Sequence, residues 1–224
     1  MRRSRISTLA LAALVAVPAS ALAQGSFEGA VTYTITSRNA SPTMVYYVKG
    51  NKARMESSFN GHTSVMLFDG ASSKMVMIMP EQKMYMTVGN MDDMQPKDTK
   101  IPKLTRTGRT EMIAGRPCED WEVQEEGQKG TTTMCIAKGM GDFMFARSRM
   151  ERSHNALSAL LSNPQFREVI KGGFFPLKIV SMSPDDSMTW VATKIEPHAL
   201  SDLLFTVPAG YREFSMPNMR PPGH

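Results

Sequence analysis

The sequence predicts a mainly β protein built as one antiparallel sheet, with a short helical insert covering one face. Three observations carry this. Apolar and polar residues alternate with period two in segment after segment of the first half, beginning at Phe27. Turn-forming residues recur between those segments at regular spacing. Apolar residues at helical spacing mark one longer stretch, within 153–171.

Phe27, Val31, Tyr33 and Ile35 alternate with Glu28, Thr32, Thr34 and Thr36, the pattern of a strand with one buried face. Thr43–Lys49 is the second strand, and Gly50-Asn51 turns it into the third, Lys52–Ser57. Thr63–Phe68 is the fourth, closed by the hairpin signal Asp69-Gly70. Lys74–Met79 and Lys83–Val88 follow, joined at Pro80-Glu81-Gln82. Residues 89–104 are polar, carry Pro96 and Pro102, and read as a surface loop. Thr105–Ile113 resumes the strands, and Cys118–Gln124 with Thr131–Ala137 flanks a turn at 125–128. Leu157, Leu160 and Leu161 share a helix face. Asn163-Pro164 is a helix start, Phe166, Val169 and Ile170 form the next face, and Gly172-Gly173 is the stop. Leu177–Met182 and Met188–Ile195 are the last strands, 198–204 reads as one helical turn, and Phe205–Val207 ends the ordered part.

The first 23 residues read as a secretory signal peptide. Arg2, Arg3 and Arg5 precede a short apolar run, Leu9–Val17, and Ala21-Leu22-Ala23 is a small-residue cleavage site. The run is short for a membrane span, and no second stretch approaches that length. The expected organisation is a signal at 1–23, one β-rich domain at 24–214 and a flexible tail at 215–224 with three prolines. The whole chain has net charge +5; without the signal's three arginines it is +2. Lys and Arg are scattered, with no basic stripe interleaved with aromatics, so nucleic acid is not an expected partner.

Cys118 and Cys135 are symmetrical about the turn near 126–127, which places them face to face across an antiparallel pair. Opposed Cα atoms lie about 4.5–5.5 Å apart, within disulfide range. A redox pair or metal site has less support, since there is no CxxC and no neighbouring histidine. A disulfide fits an exported chain, and the expected location is the periplasm, with release from the cell as an alternative.

Methionine is the unusual component, at 20 residues. If the turn is 80–83, Met79 opposes Met84 and Met77 opposes Met86, and with Met75 five thioethers share one side of a hairpin. Three readings stay open: a sheet core filled by a soft side chain, a pliable apolar cavity for an acyl chain or lipid, or a Cu(I) site, since soft thioethers select that ion. Methionines at 44, 55, 66, 112, 134 and 188 stand singly in the sequence, which weighs toward a compositional habit.

Catalytic signals are missing. His62, His154, His198 and His224 form no zinc-binding spacing. There is no nucleophile elbow, phosphate-binding glycine loop or dinucleotide fingerprint. Asp92-Asp93 and Asp185-Asp186 read as solvated turns. No cofactor and no metal site is expected.

Three stretches resemble an exported bacterial family, domain of unknown function 4412. They are Phe27–Tyr33 with Tyr47–Met55, then Thr107–Trp121, then Phe175-Pro-Leu-Lys with Phe205–Tyr211. That family resembles in fold the periplasmic lipoprotein carriers and the outer-membrane lipoprotein receptor. The resemblance implies a curved, unclosed half-barrel whose interior holds lipid, and it supplies no catalytic residues. The expected function is therefore non-catalytic binding of an apolar ligand, a lipid or acyl group. Tyr33, Tyr46, Phe68, Met75, Met77, Met79, Met84, Met86, Leu157 and Leu160 are its expected lining. The alternatives are a Met-rich Cu(I)-binding or oxidant-buffering protein, and an envelope scaffold that binds another protein.

Overall fold

The computed structural model describes residues 27–38, 41–72, 74–88, 103–124, 130–141, 143, 173–182 and 187–214. They form twelve strands: β1 (Gly29–Thr36), β2 (Thr43–Lys49), β3 (Lys52–Phe59), β4 (His62–Asp69), β5 (Lys74–Met79), β6 (Met84–Val88), β7 (Lys103–Ile113), β8 (Arg116–Gln124), β9 (Thr131–Ala137), β10 (Phe175–Met182), β11 (Ser187–Pro197) and β12 (Arg212–Glu213). All twelve join one sheet in the order β12-β6-β5-β4-β3-β2-β1-β11-β10-β9-β8-β7. Every pairing is antiparallel except β12 with β6. The sheet is not closed into a barrel, since β12 and β7 stand at opposite ends of that order.

The topology is two meanders sharing a seam. Strands β1–β6 run outward to one side and β11 back to β7 to the other, and β1 pairs with β11 along its whole length from Gly29↔Pro197 to Thr36↔Thr189. The expected strands are all present, several longer by one or two residues. β12 was not expected. The helical turn is a 3-10 helix at Asp202–Phe205, capped by the Ser201 side chain, which accepts from the Leu203 N–H. Ordered structure continues past Val207 to Phe214. The signal segment, the 89–102 part of the expected loop, the 153–171 helices and the 215–224 tail lie outside the described residues. Among the described residues there is no α-helix. None of their helices is long and apolar enough to cross a membrane.

The disulfide joins the expected pair, with Cα atoms 5.3 Å apart. Its register differs from expectation. Cys118 pairs with Ala137 and Asp120 with Cys135, so the cysteines are diagonal neighbours, and the hairpin centre lies one residue later than symmetry places it.

The middle of the sheet is packed by aromatic rings. Tyr33, Tyr46 and Phe175 are fully buried. Phe143 stacks on Tyr46 at 4.4 Å between centroids and meets Phe175 edge-on at 5.7 Å. Phe143 reaches this place because its N–H donates to the Phe174 carbonyl at 2.7 Å. That approach needs Gly173, whose φ is 88° and where a Cβ would stand 2.3 Å from the Gly141 carbonyl oxygen. The buried Tyr33 hydroxyl donates to the Pro176 carbonyl at 2.8 Å, tying β1 to β10 across β11.

The C-terminal segment is a strap over one face of β3–β6. Lys49 Nζ donates to the Leu200 carbonyl at 2.7 Å and lies 3.4 Å from Asp202; an Arg54 guanidinium N–H donates to the Leu204 carbonyl at 3.0 Å. Val207 and Tyr211 then pack on Val65, Leu67 and Ile78. Arg212 and Phe214 donate to the carbonyls of Lys83 and Tyr85, which lays β12 along β6.

Two outcomes follow. Reducing the disulfide lowers stability by about 3 kcal/mol on the loop-closure model, read as a fall in the urea midpoint; an unchanged midpoint contradicts a structural role. Tyr33→Phe strands the buried Pro176 carbonyl and costs about 1–3 kcal/mol, measured the same way.

Candidate functional site

Pairing register decides which residues share a face, because directly opposed residues in an antiparallel ladder project to the same side. Met55 pairs with Met66, Met66 with Met77, and Met77 with Met86, making an unbroken row of four methionines across β3–β6. Tyr46 continues the row on β2. Met79 opposes Met84 in the next row, and Phe68, Met75 and Val88 form the row on the other side. With strands about 4.8 Å apart the four-methionine row is about 14 Å wide. The hairpin pairing expected from sequence is thus present, and the methionines that stand singly at 55 and 66 belong to the same surface.

The same face continues across the seam. Tyr33 pairs with Met44 and Ala192, and Ile35 with Trp190. Trp190 pairs with Ile179, Ile179 with Met134, and Met134 with Trp121. The centre is filled: Tyr33, Tyr46, Met44, Phe68 and Met75 are buried. The flanks are half-buried, with Met55, Met66, Met77, Met79, Met84 and Met86 on one side and Met134, Ile179 and Trp190 on the other. Tyr33 and Tyr46 therefore belong to the packed middle, and burial, then the neighbouring Tyr46, pushes the Tyr33 hydroxyl well above its ordinary pKa. Leu157 and Leu160 lie outside the described residues, as does any cavity between sheet and helices. Trp190 Nε1 is buried and has no hydrogen-bond partner among the described residues. An unpaired buried donor costs about 1–3 kcal/mol, so it marks a place where an acceptor gains.

A second, polar site was not expected from sequence. A cavity of about 490 Å³ is lined by Arg109, Thr110, Glu111, Asp120, Thr133, Lys178 and Val180. Lys178 Nζ donates to both Glu111 carboxylate oxygens at 2.8 Å. Arg109 Nε lies 3.5 Å from Asp120 Oδ2. Glu111 sits on β7 and Lys178 on β10, three strands away, which is about 14 Å in a flat sheet. The contact requires the sheet to curl. A bulge in β7 between Arg106 and Thr110, with Gly108 at φ 75°, helps it do so; there the Thr107 hydroxyl donates to the Asp120 carbonyl. Asp120 is 4% exposed. Burial, then the charge of Glu111, raises its pKa above the usual carboxylate value, against the lowering by Arg109 and Lys178. Each charge here has a partner of opposite sign, so the arrangement ties β7, β8 and β10 together. Among the described residues no group of His, Cys, Asp and Glu is arranged to hold a metal ion.

The family model for a domain of unknown function (DUF4412) matches residues 27–211. The chain belongs to this family. No curated protein matches it. Among solved structures it is similar to PNGF-II in a C2 crystal form, at 12% identity and a TM-score of 0.47. That likeness covers 84% of this chain and 30% of PNGF-II, so the chain spans less than a third of that protein. It is similar to MucB in complex with MucA(peri), at 13% identity and a TM-score of 0.45, over 82% of this chain and 55% of MucB. It is also similar to an uncharacterized conserved protein from Thermus thermophilus, at 9% identity and a TM-score of 0.49, over 84% of this chain and 90% of that one.

One signal for the polar site was present in the sequence. Arg109, Glu111 and Asp120 fall in the second stretch that carries the family resemblance, and Lys178 falls in the third.

Asp120 holds its proton more tightly in the folded chain than in the unfolded one, so its ionisation weakens the fold. Its contribution falls as pH rises from about 4 through the raised pKa. Asp120→Asn removes that descending part. The wild-type urea midpoint is expected to drop relative to the variant's over this window as pH rises, and parallel curves contradict the assignment.

Proposed function

We propose that this protein binds an apolar ligand with a polar acceptor at one end, an acyl chain or lipid, on the thioether and aromatic face of its open sheet, without catalysing a reaction on it. The observation that carries this is one continuous apolar face that is half-buried on both flanks and holds Trp190 Nε1, a buried donor without a partner among the described residues. The disulfide fits an exported protein, and we place the activity in the periplasm.

Magnitudes show why the donor matters. Burying about ten methylenes gains roughly 8 kcal/mol. Association costs about 4–15 kcal/mol in lost freedom, so greasy contact alone is near balance. A ligand carbonyl that accepts from the Trp190 Nε1–H adds about 1 kcal/mol and relieves the orphaned donor. Methionine suits such a face because its flexible, polarizable chain repacks around ligands of different shape.

Both tryptophans of the chain, Trp121 and Trp190, lie on this face, so intrinsic fluorescence reports on its occupancy. Adding methyl dodecanoate to the protein purified after export is expected to shift the emission saturably, and native mass spectrometry of the same preparation to show a lipid-range adduct. Trp190→Phe, followed by that adduct, should weaken the ester by about tenfold and leave dodecane unchanged. A wild type that takes up neither compound overturns the proposal.

A further inference from the structure

We propose that the β5–β6 hairpin is a binding site for a soft monovalent cation, copper(I) or silver(I), held by the thioethers of Met77, Met79, Met84 and Met86, with Met66 beside them. These four residues are two facing pairs in successive rows on one side of one hairpin. Opposed Cβ atoms lie about 4.5–5.5 Å apart, and same-side neighbours along a strand about 6.6–6.8 Å. The methionine side chain has three rotatable bonds, which lets four sulfurs from such a rectangle reach one centre. Met66 is the register partner of Met77 on the adjoining strand.

The two faces of the same strands differ in composition. All seven methionines of β3–β6 lie on one face. The other face, under the strap, is built from Val65, Leu67, Val76, Ile78 and Tyr85, with no methionine. β-branched and aromatic residues are the usual filling of a half-buried sheet surface. A general taste for methionine would enrich both faces. The segregation asks for a reason particular to one of them; beyond the flexibility that suits an apolar ligand, thioether sulfur differs from an aliphatic carbon in binding soft ions. The hard or borderline alternatives lack their ligands here, since the described residues offer no His, Cys, Asp or Glu cluster. Both cysteines are consumed in the disulfide, so thiolate does not compete for the ion. A monovalent ion with neutral ligands also suits a half-buried surface, because one charge is less costly to desolvate than two.

The test is an anaerobic titration of the mature protein with copper(I) supplied as its acetonitrile complex, in competition with the chromophoric chelator bicinchoninate. One ion per chain is expected, and native mass spectrometry should show one copper adduct. Met→Leu at all four positions keeps the apolar volume and is expected to lose the competition. M112L with M182L, two exposed methionines off this hairpin, should bind as the wild type does. A quadruple variant that still competes, or a wild type that never does, overturns the site. Should the quadruple variant not fold, X-ray absorption on the copper-loaded wild type decides: a first shell of sulfur alone supports it, and a nitrogen or oxygen shell overturns it. The outcome is separate from acyl binding, since neither the ion nor its readout involves Trp190.

Discussion

The character of each surface depends on strand register. Side chains in a strand alternate with a period of two, so a slip of one residue in a ladder from β3 to β6 would move the methionines of the strands beyond it to the strap side and bring their Val, Leu, Ile or Tyr neighbours into the vacated places. Register is held by the strap as much as by the turns. Val207 and Tyr211 fit an apolar surface that exists only in this register, and Arg54 reaches the Leu204 carbonyl from the same side. The methionine face is thus defined from behind, by the segment that covers the other side.

The two flanks of the apolar face differ from its middle for a packing reason. Phe143 closes on Tyr33, Tyr46 and Phe175, and those rings leave no room for another molecule. Away from Phe143 the described residues leave Met55, Met66, Met77 and Met86 half-buried, and Ile179 and Trp190 likewise. Rigid aromatics hold the centre, while flexible thioethers and the Trp190 indole, unpaired among the described residues, stand at the sides. A packed middle with adaptable flanks keeps the sheet stable without committing the flanks to one partner.

Much of this was legible in the chain itself. The strands were, because each is a short period-two segment bounded by a turn, and the Met77–Met86 and Met79–Met84 pairs followed from the turn at 80–83. Met55 and Met66 look scattered because they lie 11 positions apart, and only the β3–β4 ladder makes them neighbours. Symmetry misplaced the β8–β9 hairpin by one residue because it assumes that both cysteines share a rung, whereas a diagonal pair bridges as well. β12 carries no local signal: two residues pair in parallel with β6 because the strap delivers them there. The polar site joins Glu111, Asp120 and Lys178 through the curl of the sheet, which alternation along one strand does not encode.

The seam between β1 and β11 sets the order in which the fold is completed. β1 ends at Thr36 and β11 begins at Ser187, about 150 residues later. In a chain that emerges N-terminus first, β1 is presented well before β11 is available. Until then, one edge of β1 lacks its native neighbour while β2–β6 can already pair. An unpaired edge of Val31, Tyr33 and Ile35 is a template for association between incompletely folded chains. Loop-closure entropy places this long-range pairing late in folding. The pairing that forms last is thus also the one whose edge most needs cover while the rest of the sheet assembles.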